Sequence, residues 1–175
     1  MNNPSGTLTG NLTWNAKQTI GTGITSPQIG STSNSTTVSF TSGTGSGQCD
    51  LWHEKVVELA ASANTTFDLS SFTELATGTT VGFQKVKALV VRLEANADAS
   101  TEATHILIEP NGTNGWLGLW KSTTNGEYLY KDGVFVMVEP LTGITVDGTH
   151  KVLKFTNQDA SHKATFRITI GGIKA

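Results

Sequence analysis

Between Val81 and Leu93 the chain reads VGFQKVKALVVRL. It alternates with a period of two and then runs Ala88-Leu89-Val90-Val91 without a polar break, as a strand does when both faces are covered in the middle. Such a strand needs neighbours, and the chain beyond it supplies short apolar runs separated by Gly, Asn and Asp. Thr104 to Glu109 predicts a strand stopped by Pro110, which has no N–H to donate, and by the Asn111-Gly112 turn. Glu127 to Tyr130 and Gly133 to Glu139 flank Lys131-Asp132-Gly133, read as a hairpin turn because Asp-Gly accepts positive φ angles. Ile144 to Val146 runs into Asp147-Gly148. Lys151 to Thr156 is expected to pair with Lys163 to Ile170 across the polar loop Asn157 to His162. In that last strand Ala164, Phe166, Ile168 and Ile170 are expected to face inward, with Thr165, Arg167 and Thr169 outward. Upstream, Thr65 to Leu69 reads as a short strand and Phe72 to Gly82 as a loop delivering the chain to the central strand. About eight to ten strands of this length and spacing predict an all-β domain, a jelly roll or related β-sandwich.

The first 48 residues follow another pattern. They are Thr, Ser, Gly and Asn with sparse apolar anchors, Leu8, Leu12, Trp14, Ile20, Ile24, Ile29, Val38 and Phe40. Such a stretch buries too little apolar surface to offset its own ordering entropy, so it must borrow a surface. Residues 1–48 are therefore expected to form an extended N-terminal arm carrying one or two strands, Thr7 to Trp14 and Thr36 to Thr41, ahead of a sandwich over residues 49–175. The Gly43 to Gly47 run reads as a joint. No Lys-Ser/Thr pair follows it, so it is not a phosphate loop.

Asp50 to Ala63 is ambiguous. Trp52, Val56, Leu59, Ala60 and Ala63 fit one helical face and strand alternation is poor, yet a lone helix between strands would need a sheet face to lie on. Leu59-Ala60-Ala61-Ser62, Asp68-Leu69, Phe83 and Lys85-Val86-Lys87-Ala88-Leu89 give this part of the chain the pattern LAAS, then DL, then F-x-K-V-K-A-L. With the C-terminal runs GVFVMVEP and GITVDGTHKVLKFTNQDASHKATFRITIGG, it resembles virion structural proteins of tailed bacteriophages and prophages over roughly residues 40 to 173. The chain departs from that family's pattern at His105 to Pro110, where a glycine pair is expected. The resemblance implies a strand from Asp50 to Ala61, a jelly roll of capsid-decoration or cement type, and residence in the virion after synthesis in the host cytoplasm.

Composition narrows the chemistry. Charged residues make up 15% of the chain and the net charge is −2, so no basic stripe exists for nucleic acid. No stretch approaches the ~18 apolar residues of a membrane span, and the start at Met1 lacks a secretory pattern. Cys49 is the single cysteine, and no Cys/His cluster has metal-ligand spacing, so no metal or cofactor is expected. No G-x-S-x-G elbow is present, and His53, His105, His150 and His162 are scattered. His53 and Glu54 would point to opposite faces of a strand. Arg92, if buried on the central strand, would need Glu54 or Glu58. The carboxylates Glu74, Asp98, Glu102, Glu109, Glu127, Asp132, Asp147 and Asp159 lie mostly beside turns, so no acid/base pair stands out and a non-enzymatic role is expected.

Aromatics are the better lead. Trp116, Trp120, Tyr128 and Tyr130 lie close together among Asn111, Asn114 and Asn125, a combination suited to stacking on sugar rings or to a subunit interface. The expected role is a cement protein. It would be a homo-oligomer, a trimer by analogy, with the major capsid protein as partner. Leu8, Leu12, Trp14 and Ile20 of the arm would reach a neighbouring subunit or the shell beneath. Of the aromatic interface residues, one tryptophan would plug the end of the sandwich while the other packs against a neighbouring subunit. The alternative is a receptor- or glycan-binding module of a tail fibre or baseplate, exposing the same aromatics to a surface glycan.

Overall fold

The computed structural model describes residues 6–14, 32–73, 78–94 and 103–175, the stretches 6–14 and 32–37 as backbone. Ile20, Glu74, Asp98 and Glu102 lie outside the described residues. The described residues form strands and no helix. In chain order these are β1 (Gly6–Trp14), β2 (Thr32–Ser42), β3 (Gln48–Cys49), β4 (Leu51–Leu59), β5 (Asn64–Asp68), β6 (Phe72–Thr73) and β7 (Thr80–Val81). They continue as β8 (Phe83–Glu94), β9 (His105–Pro110), β10 (Glu127–Tyr130), β11 (Val134–Val138), β12 (Ile144–Thr145), β13 (Val152–Asn157) and β14 (Ala164–Lys174).

Two sheets carry the core, ordered β10-β9-β13-β5 and β11-β8-β14-β4, with β12 continuing the β11 edge along β8. The pairing is nested. β4 pairs with β14, β5 with β13, β8 with β11 and β9 with β10, all antiparallel. Within these two four-strand paths the first four strands thus meet the last four in reverse order, as in a folded ribbon rolled up, and the β8–β14 and β9–β13 ladders close the roll. That is the jelly roll. Between the sheets lie Phe83, Leu89, Val91, Ile106, Ile108, Leu153, Phe155, Phe166, Ile168 and Ile170, each at most 1% exposed.

β4 settles the ambiguous stretch as a strand. All nine of its residues pair with β14, and Leu51, His53 and Leu59 are buried at alternate positions. The helical face from Trp52 to Ala63 is real as a sequence pattern, but a full ladder of strand pairing outweighs local propensity. β8 is covered on both sides in its middle, as its apolar run implies. Leu89 and Val91 face the core, while Ala88 packs outward against Phe40 and Cys49.

Two expected hairpins are corners instead. The Lys131-Asp132-Gly133 turn forms, with Asp132 at φ 62° and the Gly133 amide donating to Tyr130 O at 2.8 Å, but β10 and β11 leave it for different sheets. Leu129 on one side and Met137 on the other are both buried, and each needs the opposite sheet as cover. Likewise β13 and β14 do not pair with each other: β13 lies between β9 and β5, and β14 between β8 and β4. The expected inward parity of β14 holds, since Ala164, Phe166, Ile168 and Ile170 are all buried. Within the expected loop Phe72 to Gly82, β6 and β7 pair as a short antiparallel ladder.

The loop between β13 and β14 joins three connections at one end of the roll. The buried Asn157 amide donates to Ala60 O at 3.0 Å and His162 O at 2.7 Å. Asp159 accepts from the amides of Ser161 and His162 through Oδ1 and from that of Thr104 through Oδ2. These bonds, the Ser161 amide foremost, hold its carboxyl well below the ordinary value of 3.8. A depressed carboxyl contributes stability that is present above its unfolded value and is lost as pH falls toward the folded one. Thermal melts should therefore show native stability falling below about pH 4, and Asp159→Asn should flatten that fall. An unchanged acid limb in the variant would remove Asp159 from the account.

Candidate functional site

The outer faces of the two sheets are where the roll meets its surroundings. On the β10-β9-β13-β5 face, alternation along β10 turns Leu129 inward and leaves Tyr128 and Tyr130 outward, 55% and 63% exposed. Tyr130 pairs with His105 and Tyr128 with Leu107 on β9. The His105 ring sits 5.5 Å from Tyr128 and 5.4 Å from Tyr130, so three rings make one shelf along the sheet edge. Beyond it the face turns polar. Lys154 pairs with Glu109 at 3.0 Å and Lys151 with Asp68 at 3.3 Å.

The two tryptophans do not join this shelf. Trp116 is fully buried, its indole N–H donating to Thr145 O at 3.0 Å, and Trp120 lies under the same loop, stacked on Phe135 with centroids 6.1 Å apart. The segment is not extended. Gly118 takes a φ of +52° and brings the backbone back over Trp116, where a Cβ would meet the indole at 2.7 Å. The expected four-aromatic surface is thus half surface and half core. Its exposed half gains His105, a cross-strand neighbour that cannot be read from the sequence of one strand.

The outer face of β11-β8-β14-β4 is laid out in rows by its register. One row is Val138, Ala88, Gly171, Trp52; the next is Val136, Val90, Thr169, Glu54; the third is Val134, Arg92, Arg167, Val56. The first row is covered. Phe40 and Cys49 are buried against Ala88, with Val38, Trp52 and Val138 packed around them, and Phe40 meets the Trp52 ring edge-on at 5.8 Å. Burial pushes the Cys49 thiol up to about 11, although nearby Lys87 pulls the other way. Lys87 itself sits where the β8–β14 register skips a residue, Gly171 pairing with Ala88 and Gly172 with Val86. Its fully buried side chain donates to Gly45 O and holds the Gly43–Gly47 joint down.

The other two rows are open. Val56, Val134 and Val136 are about half exposed, at 49%, 52% and 49%. Arg92 is exposed and needs no buried partner, and Glu54 serves Arg167 instead. The Arg167 guanidinium lies between Glu94, at 2.7 Å, and Glu54, which together raise its pKa, Glu94 first. Glu58 pairs with Lys163 at 3.2 Å. Val134 and Val136 are visible in the sequence within GVFVMV, a strand apolar on both parities.

The β1–β2 ribbon approaches that face. β1 runs antiparallel to β2 with Leu8 opposite Val38, Leu12 opposite Asn34 and Trp14 opposite Thr32. Leu8, Leu12 and Trp14 therefore hold the same parity of the ladder as Val38 and Phe40, and the other parity is Thr7, Thr9, Asn11 and Thr13 with Ser33, Ser35, Thr37 and Ser39. Neither strand carries a charged residue.

Chemistry-bearing groups stay apart. His53 faces inward, ringed by Phe67 and Phe72, while Glu54 points out. A cleft of about 490 Å³ opens there between the β4 and β5 edges, lined by Lys55, Thr66, Asp68, Ser71 and Thr73 as well. His150 and His162 each contact the aspartate three residues before them, Asp147 and Asp159, within a turn. Among the described residues no three His, Cys, Asp or Glu side chains stand close enough to hold a metal ion. Comparison of the chain with protein-family models, with curated proteins and with solved structures finds no match to any.

Proposed function

We propose that this chain is a non-enzymatic structural protein of a phage virion, a decoration or cement protein that binds the capsid shell as a homo-oligomer, a trimer by analogy, and stabilises it through its arm. The observation that carries this reading is the amphipathic β1–β2 ribbon, whose base is seated on a jelly roll while its apolar parity runs on past the seat. A neutral, Thr-rich ribbon of nine pairs spans about 30 Å, enough to reach a neighbouring subunit or the shell beneath. The resemblance of residues 40 to 173 to virion proteins supplies the particle. Repetition on a symmetric lattice turns each weak contact into avidity. Shells lacking the protein should take up the intact chain from solution and should not take up a chain shortened by residues 1–36; equal uptake of both would end this reading.

The Tyr128, His105, Tyr130 shelf supports a second reading, a glycan- or receptor-binding module of a tail fibre or baseplate. Aromatic faces beside polar groups are what neutral sugars stack on. Under that reading Tyr128→Ala with Tyr130→Ala abolishes attachment to host cells and leaves the melting temperature within a degree or two, because both rings are surface groups. Under the cement reading the double variant still binds shells.

A further inference from the structure

We propose that the β1–β2 ribbon of one copy docks its Leu8, Leu12 and Trp14 parity on the open Val134, Val136 strip along β11 of a second copy. The proposal deepens the oligomer-and-arm reading above and rests on it. Three observations carry it. First, this sheet face already accepts this ribbon face, since Val38 and Phe40 are seated on its first row. The open rows adjoin that seat directly: Val136 is two residues from Val138 on β11, and Val90 two from Ala88 on β8. Second, the strip is open: Val134 and Val136 are about half exposed. An exposed apolar strip that continues a seat already used by this ribbon is a surface for the same ribbon from another copy. Third, charge does not oppose the contact. The ribbon is uncharged, so neither Arg92 beside Val134 nor the Glu94, Arg167, Glu54 cluster meets a like charge from it.

A ribbon laid on a sheet face is a heterologous contact, so it closes only as a ring of copies. Each copy then gives one ribbon and receives one, and the arm that cannot fold alone is ordered by its neighbour.

Cross-linking in the purified protein tests this without any shell. In a Cys49→Ala background, a tagged Leu12→Cys chain is co-expressed with an untagged Val136→Cys chain and oxidised. The expected product is a disulfide-linked heterodimer, absent when the second chain carries Thr66→Cys on the opposite sheet instead. Val136→Asp, at a surface position, should reduce the oligomer to monomer with its melting curve kept. No heterodimer, a link formed only inside one chain carrying both cysteines, or an oligomer that survives Val136→Asp each overturns the proposal. A heterodimer formed by a chain that binds no shell keeps this contact and removes the capsid reading.

Discussion

Phe166→Ala should cost about 3–5 kcal/mol of unfolding free energy. Phe166 has no exposed surface and reaches inward from β14, the strand between β8 and β4, to within 5.0 Å of the Phe155 ring on the facing sheet. Removing it opens a void between two strands that each hold a ladder on both sides, so neither can move in to fill it. The loss combines transfer and cavity terms. A domain of this size has about 5–15 kcal/mol to lose, so the midpoint of urea unfolding should fall by about a fifth or more. A loss below about 1 kcal/mol would mean the two sheets are not packed as described.

Gly172→Ala should be the second large effect, although it adds only a methyl group. A Cβ at Gly172 would lie 2.1 Å from the Lys85 carbonyl oxygen, a main-chain atom fixed in the β8–β14 ladder. Neither strand can yield without giving up the register that skips Lys87, and the Lys87 tie to Gly45 would go with it. Overpacking against backbone is expected to cost about 3 kcal/mol. Gly148→Ala is the matched control, since nothing lies within 4 Å of its added Cβ, and it should change stability by less than about 0.5 kcal/mol. Equal melting curves for the two variants would contradict the register.

Much of the roll was legible in the chain. Period-two burial in β9, β13 and β14 follows from alternation, Pro110 ends β9, and Asp132-Gly133 makes a tight turn with a positive φ, although between sheets. What alternation cannot give is the identity of the partner. A strand with one apolar parity fits either sheet, so the turns before β11 and β14 read as hairpins although they cross the sandwich. Leu51 to Leu59 shows the opposite limit: its helical pattern was overridden by nine pairs with a strand more than a hundred residues away. Trp116 and Trp120 read as a shelf with the tyrosines because proximity in sequence was all there was to go on, and the positive φ at Gly118 that folds them inward is a property of the finished loop.

The arm boundary also looks different from inside the fold. A cut after residue 48 would strip Phe40 from Ala88 and Gly45 from Lys87, injuring the sandwich as well as removing the ribbon. A chain beginning at Thr37 keeps Val38, Phe40 and the joint and loses β1 with most of the ribbon.

The most direct test of the account is the mass of the purified chain in solution, measured for the full length and for the chain beginning at Thr37. The account predicts a stable oligomer for the first and a folded monomer, with an unchanged β-sheet signature, for the second. A full-length chain that is monomeric at every concentration, or a shortened chain that keeps the oligomer, would contradict it.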